Sequence, residues 1–213
     1  MPLYTTDALI LRTYKLAESD RVVVFLTRDR GKKRGVAKNA RQSRRRFGGA
    51  LEPLTCGRVG YLEREGRDLV QLQYVEPIRS PLSASDGEAL AYAEYFAELI
   101  DECAPESDPN ETLFRLGTSV VDALAAGIPP LPLARYFEYW VLRLQGVYEP
   151  DERLSSEAKA FLHAARTASP LAVGKIIASA ATLRELEAAH RIRIAMHLEK
   201  DLKSIRVLRD MGR

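Results

Sequence analysis

Arg21-Val22-Val23-Val24-Phe25-Leu26-Thr27-Arg28-Asp29-Arg30-Gly31-Lys32-Lys33-Arg34-Gly35-Val36-Ala37-Lys38 carries the two signals from which the architecture of this 213-residue chain can be built. Its first seven residues are β-branched or apolar at nearly every position, which predicts a strand apolar on both faces. Asp29-Arg30-Gly31 predicts a compact turn, with Gly31 in the left-handed position of a short hairpin loop. Lys32 to Lys38 is then the return strand. Outward from this hairpin, Leu9-Ile10-Leu11 opens a first strand, and Leu51 to Glu63 with Asp68 to Val75 makes a second hairpin around Glu65-Gly66. Five short strands before Ser80 predict a small antiparallel barrel, because an open sheet would leave edges exposed.

After Ser80 the apolar period becomes helical. Ser85-Asp86-Gly87-Glu88 is a capping box ahead of Leu90, Ala93, Phe96, Ala97 and Ile100. Asp108-Pro109-Asn110-Glu111 predicts a second start, with Asp108 as N-cap and Pro109 at the first helical position, and Gly127 a stop before Pro129-Pro130. A third helix is expected from about Pro132 to Gln145, a fourth over Ser156 to Arg166, and a long final one from the Thr182-Leu183-Arg184-Glu185 box to about Arg206.

The formal charge of +3 conceals a division along the chain. Residues 1–80 hold 17 basic and 9 acidic side chains, residues 81–152 hold 3 and 14, and residues 153–213 hold 12 and 6. The sharpest feature is Arg28 to Arg46, where 10 of 19 residues are basic and only Asp29 is acidic. Such asymmetry predicts parts with different partners. No apolar run approaches the roughly 18 residues of a spanning helix. The first residues lack the pattern of a signal peptide, and two cysteines make no disulfide framework, so a reduced, cytoplasmic protein is expected.

Catalytic readings fare badly. There is no phosphate-binding G-x-x-x-x-G-K-[ST] and no G-x-G-x-x-G after a strand. His190 and His197 are two helical turns apart, about 10 Å, too far to share one metal. His163, Cys56 and Cys103 stand outside any nucleophile or ligand pattern, so neither an enzyme nor a cofactor nor a metal is expected. The basic run fits a nucleic-acid surface better. Cations follow phosphates while aromatic rings stack on bases, and Tyr14, Phe25, Phe47, Tyr61 and Tyr74 lie near the run in sequence. Phe47, beside Arg44-Arg45-Arg46, is the expected stacking residue, and Phe25 is assigned to the core.

A family resemblance rests on Ala8-Leu9-Ile10-Leu11-Arg12, Glu18-Ser19-Asp20, Leu26-Thr27-Arg28, Arg30-Gly31-Lys32, Gly35-Val36-Ala37-Lys38 and Phe47-Gly48-Gly49-Ala50-Leu51-Glu52-Pro53. In order and spacing these resemble the N-terminal domain of the RecO family. Arg135-Tyr136-Phe137-Glu138 with Leu142, Leu144 and Gly146 is similar to that family's helical segment. The resemblance implies an α+β chain: an N-terminal OB-fold (a five-stranded antiparallel β-barrel) over 1–80 and an all-α helical domain over 81–213. It implies a recombination mediator in DNA repair that binds single- and double-stranded DNA, anneals complementary strands and partners with RecR. It also implies contact with the acidic C-terminal tail of single-stranded-DNA-binding protein (SSB), indirect service to RecA, and a cytoplasmic, nucleoid-associated location. Many members carry a four-cysteine zinc insertion after the segment that here reads Gly146-Val147-Tyr148-Glu149-Pro150. This chain runs on through Asp151 to Ser156 without a cysteine, so a member with no zinc-binding element is expected.

The expected DNA contacts are Lys32, Lys33, Arg34, Lys38, Arg41, Arg44, Arg45, Arg46 and Phe47, flanked by Arg12, Arg21 and Arg28. Arg135 and Arg143, two of the three basic residues in the acidic middle segment, are the expected contacts for the SSB tail, with pairing to local acids as the competing reading. Two other readings of the chain are an OB-fold RNA-binding protein of RNA processing or ribosome assembly, and a scaffold whose DNA binding is secondary.

Overall fold

The structure, a computed structural model, describes residues 2–43, 45–64, 66–81 and 87–211. Arg44, the Glu65 half of the expected turn and the Ser85-Asp86 half of the first capping box lie outside the described residues. Strands β1 (Leu3–Lys15), β2 (Arg21–Thr27), β3 (Gly31–Ala37), β4 (Cys56–Leu62) and β5 (Leu69–Arg79) close into a barrel in the order β1-β2-β3-β5-β4. Four neighbouring pairs are antiparallel, but β3 runs parallel to β5 from Arg34↔Leu69 to Ala37↔Leu72. The expectation of an antiparallel barrel is corrected at this seam. Five strands in a closed ring cannot alternate direction at every step, so one neighbouring pair must run parallel.

The decisive hairpin forms as its residues dictate. Gly31 adopts φ +67°, and the buried Thr27 hydroxyl donates to Gly31 O at 2.8 Å while accepting from Arg30 N at 2.9 Å. Leu51 to Thr55, expected to begin the fourth strand, forms a turn instead, with Leu54 at φ 58°. Ala8, Ile10, Val23 and Phe25 fill the barrel with Tyr61, Val70 and Leu72. The opposite faces of the same strands, Leu9, Leu11, Val24 and Leu26, join Leu54 and Cys56 in a second core shared with the helices. That sharing is why β2 is apolar on both faces.

The helices are α1 (Gly87–Cys103), α2 (Glu111–Ala125), α3 (Pro130–Leu144), α4 (Ser156–Ala165), α5 (Ala180–Leu198) and α6 (Ser204–Met211), with a 3-10 turn over Pro170–Lys175. Among the described residues no helix is long and apolar enough to cross a membrane. α2 passes so close to the barrel that a Cβ on Gly117 would lie 2.7 Å from the Leu9 side chain. Its N-cap is Asn110, which accepts from Leu113 N at 2.9 Å, and not Asp108, whose backbone lies against Gly31. α4 and α5 cap one another. Glu185 accepts from Ser155 N at 2.7 Å, and Glu157 accepts from Ser179 N at 2.7 Å and from the Thr182 hydroxyl at 2.6 Å. Glu185 therefore serves α4, and Ser179 is the N-cap of α5.

The long final helix expected to reach Arg206 is two helices. Glu199 turns left-handed at φ 54°, and α6 folds back onto α1. Glu98 of α1 holds it there, accepting from Lys203 N, Ser204 N and the Ser204 hydroxyl at 3.1, 2.7 and 2.5 Å. Burial opposes ionisation of Glu98, but the Ser204 hydroxyl, the two amides and the nearby Arg12 outweigh it and hold the carboxyl below its ordinary 4.5. A carboxyl lowered by folding stabilises the fold above its ordinary value, and the contribution is lost as pH falls through the folded value. The thermal midpoint is therefore expected to fall as pH drops below 4.5. Glu98→Gln should lower the midpoint at pH 7 and flatten that acid limb in melts across pH.

Candidate nucleic-acid interface

The barrel's cations divide by what they touch. Arg12, on the outer face of β1, pairs with Asp101, Glu102 and Glu98 of α1 at 2.8, 3.1 and 3.3 Å. Lys32 is buried; its ammonium meets the Asp101 carboxylate at 3.2 Å and donates to Asp101 O at 2.6 Å. Lys33 pairs with Glu63 at 2.8 Å, Arg34 with Glu106 at 3.0 Å, and Arg28 with Glu111 at 3.0 Å. The acidic middle segment thus lies against the basic barrel. Arg12 and Lys32, expected on DNA, are corrected to docking residues, because their cationic heads are already engaged by the α1 acids Glu98, Asp101 and Glu102. Arg21 Nη1 is buried without a hydrogen-bond partner among the described residues.

Phe47 is corrected as well. It is 1% exposed and packs with Ala40 and Ala50 in the barrel core. The loop between β3 and β4 folds over the barrel end: Ala50 N donates to Phe47 O at 2.7 Å, and Val75 N to Arg46 O at 2.9 Å. Arg46 braces this loop, donating to Lys38 O at 2.7 Å and to the Ser43 hydroxyl at 2.8 Å. A ring inside the barrel offers no face to a base.

A strip of the barrel's outer surface escapes the helical cover. The registers place Tyr14, Val22, Val36 and Gln71 side by side across β1, β2, β3 and β5. Tyr14 is 48% exposed, whereas Phe25, Phe47 and Tyr61 are buried. Beside this row, Val36, Lys38, Leu62, Arg64, Arg67 and Leu69 help to line a groove of about 460 Å³ along the β3–β5 seam. Lys38, Arg41 and Arg45 are exposed at one end of the strip, and Arg64 and Arg67 at the other. Among the described residues Lys38 and Arg45 have no acidic partner, and Arg41 reaches only Glu18 O at 3.5 Å. The face of strands 2 and 3, with the loops that follow strands 1 and 4, is where OB-folds take oligonucleotides. Tyr14 alternates with Arg12 on one face of β1, the signal in the sequence that marks it as outward-facing.

In the helical part the two expected tail contacts separate. Arg135 is 2% exposed and pairs with Glu138 at 2.9 Å and Glu187 at 3.3 Å. It is corrected to an internal residue, because its guanidinium compensates the buried Glu138 carboxylate. Arg143 is exposed, stacked near Trp140 and Tyr139, with its guanidinium donating to the Tyr139 hydroxyl at 2.9 Å. With Lys159, His163 and Arg166 it rims a pocket of about 560 Å³ whose apolar wall includes Tyr139, Tyr148, Leu154 and Leu162.

Between Gly146 and Ser156, Asp151 and Glu152 are engaged by cations rather than gathered as a ligand set. Asp151 is held by Arg153 at 3.1 Å and Arg193 at 3.4 Å, and no group of three His, Cys, Asp or Glu suited to a metal occurs among the described residues. Burial pushes the Cys103 thiol up to about 12, reinforced by Glu102, so it stays protonated. Cys56, inside the barrel–helix core, is pushed up by burial too.

A five-stranded barrel of order 1-2-3-5-4 joined to a helical body defines the class: an OB-barrel protein with a helical C-terminal part. Residues 1–81 match the family model described as Recombination protein O N terminal, and residues 84–152 match Recombination protein O C terminal. The chain belongs to the RecO family. DNA repair protein RecO of Koribacter versatilis (strain Ellin345) is 45% identical over 150 residues, covering 70% of this chain and 61% of that protein. DNA repair protein RecO of Anaeromyxobacter sp. (strain K) is 45% identical over 142 residues, covering 65% and 55%. That of Pelotomaculum thermopropionicum is 35% identical over 156 residues, covering 73% and 60%. The matched region thus spans about six tenths of each relative's length.

Proposed function

We propose that this chain is a recombination mediator of DNA repair that binds single- and double-stranded DNA on its barrel and anneals complementary strands. In this reading it works with RecR to help load RecA on strands coated with SSB. The observation that carries the reading is the uncovered strip: a half-exposed Tyr14 in an apolar row, with Lys38, Arg41, Arg45 and Arg67 at its ends. Phosphates would follow the cations and a base would stack on the ring. Annealing needs no catalytic group, because a basic surface that screens two polyanions brings them together. The pocket rimmed by Arg143 and Arg166, with Lys159 held by Glu152 at 3.6 Å, would take an acidic tail with an apolar end.

Single-strand affinity should fall steeply with salt. Four neutralised phosphates give a logarithmic slope of about −3. The protein should also speed annealing of complementary strands coated with SSB, and single-stranded DNA should compete better than RNA of matched sequence. Binding that ignores salt, with no gain in annealing, would end this reading; preference for RNA would favour the RNA-processing alternative.

A further inference from the structure

The pairs between the barrel and the acidic segment fall into two tiers. Arg12 and Lys32 meet α1 at side chains only 9–22% exposed, and that contact is part of the shared core. Arg34–Glu106 and Arg28–Glu111 differ: their side chains are 54%, 50%, 57% and 56% exposed. Ion pairs this open to water are weak and screened by salt. The backbone that carries Glu106 is nonetheless fixed. Lys32 N donates to Pro105 O at 3.4 Å, Ser107 N donates to Lys32 O at 2.9 Å, and the Lys33 ammonium donates to the Ser107 hydroxyl at 3.2 Å. Glu106 is thus held beside Arg34 on anchored backbone, 3.7 Å from the Lys32 ammonium as well, and Glu111 stands beside Arg28 in the first turn of α2. Both carboxylates are exposed enough to swing away without moving that backbone.

Arg34 lies in the cross-strand row next to Tyr14, Val22, Val36 and Gln71, and pairs with Leu69 in register. Arg28 follows at the β2–β3 turn. Both would extend the strip's exposed cations if released. We propose that Glu106 and Glu111 are internal competitors for nucleic acid: they occupy Arg34 and Arg28 in the free protein and yield to phosphates when a strand binds. The proposal rests on the DNA-binding reading above and adds regulation to the same surface. Tethered carboxylates compete at high effective concentration, so short or sparse polyanions are turned away while a strand presenting many phosphates together displaces both.

The test is a set of anisotropy titrations of the full chain with a labelled oligothymidine across salt. Glu106→Gln with Glu111→Gln should tighten binding roughly three- to tenfold and leave the salt slope unchanged, because the same phosphates are neutralised in the end. Arg28→Gln with Arg34→Gln should weaken binding and make the slope shallower by about 1.4. Removing the two acids in that background should then gain nothing, a non-additivity that identifies direct competition. No tightening in the first variant overturns the proposal. So does an equal gain in the background lacking both arginines, which would mean general charge rather than competition. If the unmodified chain binds no single strand at all, the functional reading itself falls and the competitor with it.

Discussion

Replacing Arg135 by alanine is expected to destabilise the protein by about 3–5 kcal/mol, the cost of breaking a buried ion pair by removing one partner. Glu138 is 2% exposed, and its carboxylate is the hub of a network that joins three helices. It accepts from the Tyr95 hydroxyl of α1 at 2.8 Å, forms an ion pair with Arg135 of α3 at 2.9 Å, and meets His190 Nδ1 of α5 at 3.0 Å. Burial, with Glu138 close by, pushes the Tyr95 pKa well above its ordinary value, so the phenol stays a donor. Without the guanidinium the carboxylate keeps its desolvation cost and loses its only cation of fixed charge within the network. Urea unfolding should show the midpoint falling. Adding Glu138→Gln to Arg135→Ala should recover part of the loss, because the orphaned charge goes with it. Were Arg135 a surface anchor for a peptide, the single change would leave stability untouched and weaken peptide binding, which is the opposite pattern.

The second large effect concerns affinity. Replacing Lys38, Arg41 and Arg45 together by alanine should make the single-strand salt slope shallower by about 2, and weaken binding roughly 50-fold at 0.15 M salt from counterion release alone. Stability should hardly change, since all three side chains are exposed. Adding Tyr14→Ala should cost single strands a further 1–3 kcal/mol or so, the worth of one base stacked on a ring. Tyr14→Phe should keep that affinity, and duplex DNA, whose bases are already stacked, should not register either change. Anisotropy titrations with matched single and double strands separate the two contributions. Full affinity in the triple variant would remove the loop after β3 from the interface.

Local chemistry made much of the fold legible. Gly31 announced its turn, β2 announced two buried faces, and the change from strand to helical period near Ser80 marked where the barrel ends. What escaped was decided at long range. The parallel β3–β5 seam follows from ring closure, which no segment of sequence displays. Arg12 and Lys32 read as DNA contacts because their partners, Glu98 to Glu102, lie about 70 to 90 residues away in a segment whose acidity was plain but whose position was not. Phe47 sits in a basic loop, and only the closed barrel reveals an end that its ring must plug. Asp108 was a sound N-cap by local rules, but the approach of Gly31 engages its backbone and passes the role to Asn110. The strip around Tyr14 is what remains once these internal uses are subtracted.

The core that Leu9, Leu11, Val24 and Leu26 share with Phe96, Leu113 and Phe137 has a mechanical meaning. Two bodies joined through a linker can swing. Here the same apolar cluster belongs to both, the Arg12 and Lys32 pairs lock its margin, and Arg79 of β5 bridges to Asp122 of α2. The shared cluster and the ion pairs at its margin oppose bending at the joint. A strand bound on the barrel as proposed would therefore be presented at one fixed bearing to a partner docked on the helices, with the distance between the two loads set by the fold rather than by a search.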